Sequence, residues 1–118
     1  MSLGKNMKAK VPIRVQKLMK ELKDGLFSIY GDRLKGVYLY GSYARGDYRP
    51  GSDVDVMILL QNYRNYWNEQ KKISQLASDI SLAYDLTVSC IFIKESQWKN
   101  ASNELPLIYN IHQDGVPA

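Results

Sequence analysis

Val15, Leu18, Met19, Leu22, Leu26, Ile29 and Tyr30 recur at the i, i+3, i+4, i+7 spacing of one helical stripe, and Pro12 suits a first turn. A helix is predicted from about Pro12 to Tyr30. "GDRLKG" then reads as a turn and "VYLY" as a short β run ending at Gly41-Ser42, while "YARGDYRPGS" has room for one helical turn before its turn formers take over. "DVDVMILL" is a second strand. Tyr66, Ile73, Leu76, Ala77, Ile80, Ala83 and Tyr84 return to helical spacing, predicting a second amphipathic helix from Tyr63 to Tyr84. "DLTVSCIFI" alternates, with Leu86, Val88, Cys90 and Phe92 on one face and Asp85, Thr87, Ser89 and Ile91 on the other, so a third strand opens at Asp85. A short helix is expected over Glu95–Ala101, and another over Leu105, Ile108, Ile111 and His112, stopped by Gly115. The order predicts an α/β fold, a small sheet covered by helices. It leaves the pairing order of the strands open.

A chain of 118 residues fits one ordinary domain. Residues 11–118 are expected to form it, with residues 1–10 a flexible or expression-derived terminus. The longest apolar run, Val56 to Leu60, is too short to cross a bilayer, and "MSLGKNMKAK" lacks the apolar segment of a signal peptide, so a cytoplasmic location is the expectation. Cys90 is the only cysteine, which excludes an internal disulfide and a cysteine-rich zinc site; it reads as a small buried apolar residue. The net charge of +4 is concentrated before Gly25, where Lys and Arg outnumber Glu21 and Asp24. This segment reads as a solvated helix face rather than a docking surface.

The candidate chemistry lies between Tyr40 and Leu60. Period-two geometry sends Asp53 and Asp55 to one side of their strand and Val54, Val56 and Ile58 to the core. At about 5 Å and an effective dielectric near 20, two such charges repel by roughly 3 kcal/mol unless a cation is bound. All-oxygen donors suit Mg²⁺ or Mn²⁺, which take a few carboxylates together with substrate phosphates. Asp85, if a neighbouring strand carries it, would stand beside the first two, giving three carboxylates for two metal ions in an in-line phosphoryl displacement. Gly41-Ser42 allows close backbone approach and offers amides and a hydroxyl to phosphate oxygens.

Gly41-Ser42, the gap filled by Tyr43 to Ser52, and Asp53-Val54-Asp55 together resemble the signature of the DNA polymerase β-like nucleotidyltransferases, specifically the minimal nucleotidyltransferase family. Arg45, Gly46 and Ser52 within "GSYARGDYRPGSDVDVMI", the segment "YDLTV" and the closing "LPLIYNIHQDGV" extend the likeness from Leu34 to Val116. The resemblance implies a polymerase β palm-like fold with a small mixed sheet. It implies Asp53, Asp55 and Asp85 as catalytic metal ligands, two Mg²⁺ ions (or Mn²⁺), and Gly41 and Ser42 on the nucleotide phosphates. Arg45 and Ser52 match family positions that face the nucleotide or brace the loop. The implied reaction moves a nucleoside monophosphate, AMP from ATP, onto a hydroxyl with release of pyrophosphate.

A chain of this length leaves no room for an acceptor-binding domain, so a partner or second subunit is expected. By family analogy the partner is a small helical protein of the HEPN type, a toxin whose antitoxin is the transferase. Membrane and nucleic-acid partners are not expected, and self-association is open. Two rivals are an aminoglycoside-modifying transferase and a non-catalytic nucleotide- or partner-binding module. Tyr63, Tyr66 and Trp67 read as helix packing rather than a base platform, and His112 as a helix-surface residue rather than a general base.

Overall fold

Every residue of strand β2 (Val54–Leu60) except Asp55 is buried, because the strand lies inside a four-stranded sheet with helices on both faces. The computed structural model describes residues 11–100 and 105–118; the expectation for residues 1–10 lies outside them. The sheet runs in the order β3 (Val88–Lys94), β2, β1 (Leu34–Tyr40), β4 (Val116–Pro117). β1 is antiparallel to β2 and to β4, and β3 is parallel to β2. The sheet is therefore mixed, as expected for a nucleotidyltransferase fold.

The alternation of β2 decides which helix packs where. Val54, Val56, Ile58 and Leu60 face α1 (Ile13–Tyr30) and α3 (Tyr66–Tyr84), meeting Val15, Leu18, Met19, Leu22 and Leu26 of the first and Ile73 and Ile80 of the second. Met57 and Leu59 face the other way, joining Ile93 of β3 to Ile108 and Ile111 of α5 (Pro106–Asp114), with Trp98 of α4 (Glu95–Asn100) at the edge. Burying each such side chain stabilises the fold by about 1.5–3 kcal/mol. Asp55 shares the α5 face but lies at the strand's entrance, where that second layer opens into a cleft.

Several boundaries move. β1 starts at Leu34, before the expected Val37: only Gly31–Arg33 turns, and β2 extends the pairing across an irregularity between Leu34 and Gly36. α3 starts at Tyr66, not Tyr63, because the Asn65 side chain accepts the Asn68 N–H at 3.1 Å and caps it. α5 has Pro106 in its first turn, and Gly115 N–H closes it on Ile111 O at 2.7 Å. Of the helix expected over Glu95–Ala101, Ala101 lies outside the described residues.

The larger correction concerns Asp85, which does not open a strand. It caps the end of α3 in the left-handed conformation, φ 53°, and the ladder begins three residues later at Val88. The alternation itself holds: Leu86, Val88, Cys90 and Phe92 pack on the α1/α3 core, and Ile91 lies with the α5 layer. Period two sorts faces correctly even where it misplaces an end.

Candidate active site

The site grows from the turn that leaves β1. Gly41 has φ 74°, which a side-chain-bearing residue rarely adopts, and its carbonyl accepts the N–H groups of Ala44 and Arg45 at 3.1 Å each. α2 (Ser42–Arg45) follows as a single turn, ended by left-handed Gly46, whose N–H reaches Ser42 O at 2.8 Å. A Cβ on residue 41 would run into the Asp55 carboxylate. Glycine is thus required twice here, for the positive φ and for the close approach to Asp55.

Asp55 stands opposite Tyr40 in the β1–β2 ladder. Burial, then the Asp53 charge, raises its carboxyl above the usual range, and the Arg45 guanidinium offsets part of this. Tyr40 is pushed up to about 12 by burial and by Asp55, so its hydroxyl stays protonated and remains a donor. Beside them opens a cleft of about 360 Å³. Gly41, Ser42, Arg45 and Asp55 form one wall; Asn110 and Asp114 of α5, with Leu107 and Ile111, form the other.

Of the residues that the sequence singles out, the fold gathers Gly41, Ser42, Arg45 and Asp55 at this cleft, with Asp53 at the entrance of β2. Arg45 does two things: it lines the cleft and donates from Nε to Asp47 Oδ2 at 3.3 Å. Ser52 has a local role instead, its Oγ accepting the Arg49 N–H at 2.9 Å in the turn around Gly51. Asp85 is not brought to the pair. The parallel register sets Val88 beside Val54 and Ser89 beside Asp55, so β3 presents Ser89 at the position the third carboxylate would need. Asp85 lies four residues earlier, in the turn that ends α3 and before the ladder begins. Among the described residues no three His, Cys, Asp or Glu side chains gather as a metal site.

Tyr40, Asn110 and Asp114 are site residues that sequence reasoning missed. A signal exists: Leu107, Asn110, Ile111 and Asp114 are spaced i, i+3, i+4, i+7, a second stripe beside the apolar one. His112 is accounted for as structure. Its ring stacks on Trp98 at 3.5 Å between centroids, and Nε2 lies 2.9 Å from the Trp98 carbonyl, tying α4 to α5. Cys90 is half-buried against the core, and burial pushes its thiol up to about 12, which disfavours the thiolate.

A mixed sheet with a Gly-Ser turn and paired aspartates at one end is the plan of a nucleotidyltransferase. The family model described as "Nucleotidyltransferase domain" matches residues 19–108, and the chain belongs to that family. Its catalytic class is that of a nucleotidyltransferase enzyme, of the minimal kind that the signature implies. It is 42% identical over 84 residues to MJ0141, a proposed protein adenylyltransferase of Methanocaldococcus jannaschii, covering 71% of this chain and 84% of that one. It is 34% identical over 70 residues to the protein adenylyltransferase MntA of Shewanella oneidensis, covering 56% of this chain and 47% of that one. Solved structures share the fold. A proposed nucleotidyltransferase from Sulfolobus solfataricus superposes with a TM-score of 0.55 at 21% identity, over 93% of this chain and 89% of that one. The structure of a tri-AMPylated HEPN toxin of S. oneidensis in complex with its MNT antitoxin does so at 0.52 and 20%, over 89% and 68%.

Proposed function

We propose that this protein transfers AMP from ATP to a hydroxyl on a partner protein, and that the partner is a HEPN-type toxin for which it serves as antitoxin. The observation that carries the reading is the close approach of Gly41 to Asp55, which sets the backbone of the Gly-Ser turn against a carboxylate in one cleft. The adenylyltransferase names of relatives and the AMPylated toxin bound in a similar structure support the acceptor class.

The residues fit a divalent cation. Asp55 is desolvated beside a second carboxylate, an arrangement that Mg²⁺ relieves while drawing its other ligands from phosphates and water. When bound, the metal neutralises charge developing on the transferred and leaving phosphates. Asp53 and Asp55 would hold it, Gly41 and Ser42 would orient the β and γ phosphates, and Arg45 would meet a phosphate from the same wall. Asp55 must be ionised for this, and binding the cation lowers its raised pKa. The two-ion arrangement drawn from three carboxylates is left to Asp53, Asp55 and phosphate oxygens, since Asp85 stands apart. Ser52 is proposed to act on the nucleotide only by shaping the loop.

The test is incubation of the protein with labelled ATP, Mg²⁺ and a candidate HEPN partner. Label should pass to the partner, Asp53→Ala and Asp55→Ala should reduce transfer by about a hundredfold or more, and Asp85→Ala should retain it to within about threefold. Equal transfer by the Asp55 variant would remove the mechanism; ATP binding without pyrophosphate release would favour the binding-module rival.

A further inference from the structure

At the end of the sheet opposite the cleft, the turn before β1, the loop after β2 and the first turns of α3 enclose a second concavity of about 650 Å³. Its charge is one-sided. Arg33, Arg64, Lys71 and Lys72 line it, and the one carboxylate among the lining residues is Glu69. Glu69 is buried and committed: it accepts the Tyr30 hydroxyl at 2.9 Å and pairs with Lys72 at 3.5 Å. Arg33 is held in place, donating to Asn62 O at 2.9 Å with its guanidinium 5.5 Å from the Tyr30 ring centroid. Arg64 and Lys71 make no ion pair among the described residues. Four cations around one occupied acid leave an excess of positive charge in a concave surface, which concentrates anions.

An exposed aromatic, Trp67, stands just outside the lining residues. Tyr63 and Tyr66 pack edge-on against Phe92, as helix packing requires. Trp67 follows that expectation in part: one edge packs against Tyr66, with ring centroids 5.3 Å apart, yet the residue is 70% exposed, one helical turn before Lys71 on the same side of α3. An exposed indole of this size gains most from stacking on a flat ligand.

We infer that this concavity is a second ligand site that takes a nucleotide, free or within a single strand, with the phosphate among Arg33, Arg64 and Lys71 and the base on Trp67. Arginine forks suit phosphate oxygens bidentately, and a basic surface with a stacking ring binds nucleotides without needing base-specific hydrogen bonds. The site lies away from the cleft and does not depend on the transferase reading.

Titration of the isotope-labelled full chain, without divalent metal, with AMP and separately with a short 5′-phosphorylated oligouridylate reads both ends of the sheet at once by NMR. The Trp67 indole and the Asn65 and Asn68 amides should shift with at least one ligand, and binding should weaken as salt rises. AMP alone would mark a free mononucleotide as the ligand, the oligonucleotide alone a strand. Arg64→Glu combined with Lys71→Glu, both exposed, should weaken this binding by about tenfold or more while the Gly41 and Ser42 signals respond as in the wild type. Trp67→Ala should weaken nucleotide binding by about fivefold or more but not that of pyrophosphate. Shifts confined to Gly41–Arg45 with both ligands, or undiminished binding by the charge-reversed variant, would overturn the inference.

Discussion

Gly41, Asp55 and Glu69 each show a residue doing more than its type suggests. Gly41→Ala forces a side chain into a positive φ and onto the Asp55 carboxylate; a displacement on the ångström scale should cost nucleotidyl transfer about a hundredfold, with circular dichroism confirming a retained fold. Asp55 has its carboxyl pKa raised on folding, so the folded state binds the proton more readily than the unfolded one. Its contribution to stability therefore falls as pH rises from the ordinary carboxylate range through the raised value. Asp55→Asn removes that penalty and should raise the metal-free Tm at neutral pH by roughly 2–4 °C, a gain that disappears in acid. Mg²⁺ should stabilise the wild type in the same melts and leave the variant unmoved. Glu69 is buried against Tyr30. Glu69→Ala leaves the tyrosine hydroxyl without its acceptor and should cost about 1–3 kcal/mol in urea unfolding, whereas Glu69→Gln keeps an acceptor and should cost less. Nothing local in the sequence announces a carboxylate whose partner is 39 positions away.

At the scale of elements, β2 and α5 were legible to different depths. The facings of the apolar run of β2 and of Asp55 follow directly from period two, and the structure keeps them. α5 was visible as an apolar stripe, yet its other stripe, Asn110 and Asp114, became meaningful only once the helix lay across the cleft from Asp55. Ile111 joins the two functions, buried in the second core layer while lining that wall. Ile111→Ala should destabilise the protein by about 2–5 kcal/mol, and at a temperature where the variant remains folded it should raise the KM for the nucleotide more than it lowers kcat. The end of α3 shows the opposite failure. The alternation that starts at Leu86 extends backward by one polar residue without contradiction, so period two alone places Asp85 in the strand. Its left-handed backbone makes it a helix cap instead. Asp85→Gly should consequently leave stability unchanged or raise it by up to about 1 kcal/mol in thermal melts.

Across the whole molecule, a mixed sheet carries a cleft lined by Asp55 and Asp114 at one end and a basic concavity at the other, with the core between them formed by two helical layers. Among the described residues no helix is long and apolar enough to cross a membrane. The sequence by itself determined the helical stripes, the facing of each strand and the Gly-Ser to Asp-Val-Asp signature, because these depend on backbone periodicity and on residues close together along the chain. Only the tertiary structure decided that β3 lies parallel to β2 in the register that sets Ser89, not Asp85, beside Asp55. It alone placed α5 over the Gly41 turn and brought Arg33 to Arg64 and Lys71. The physical reason is the same in each case: periodicity states which side of an element a residue occupies, but the neighbour on that side is chosen by packing between segments far apart in sequence.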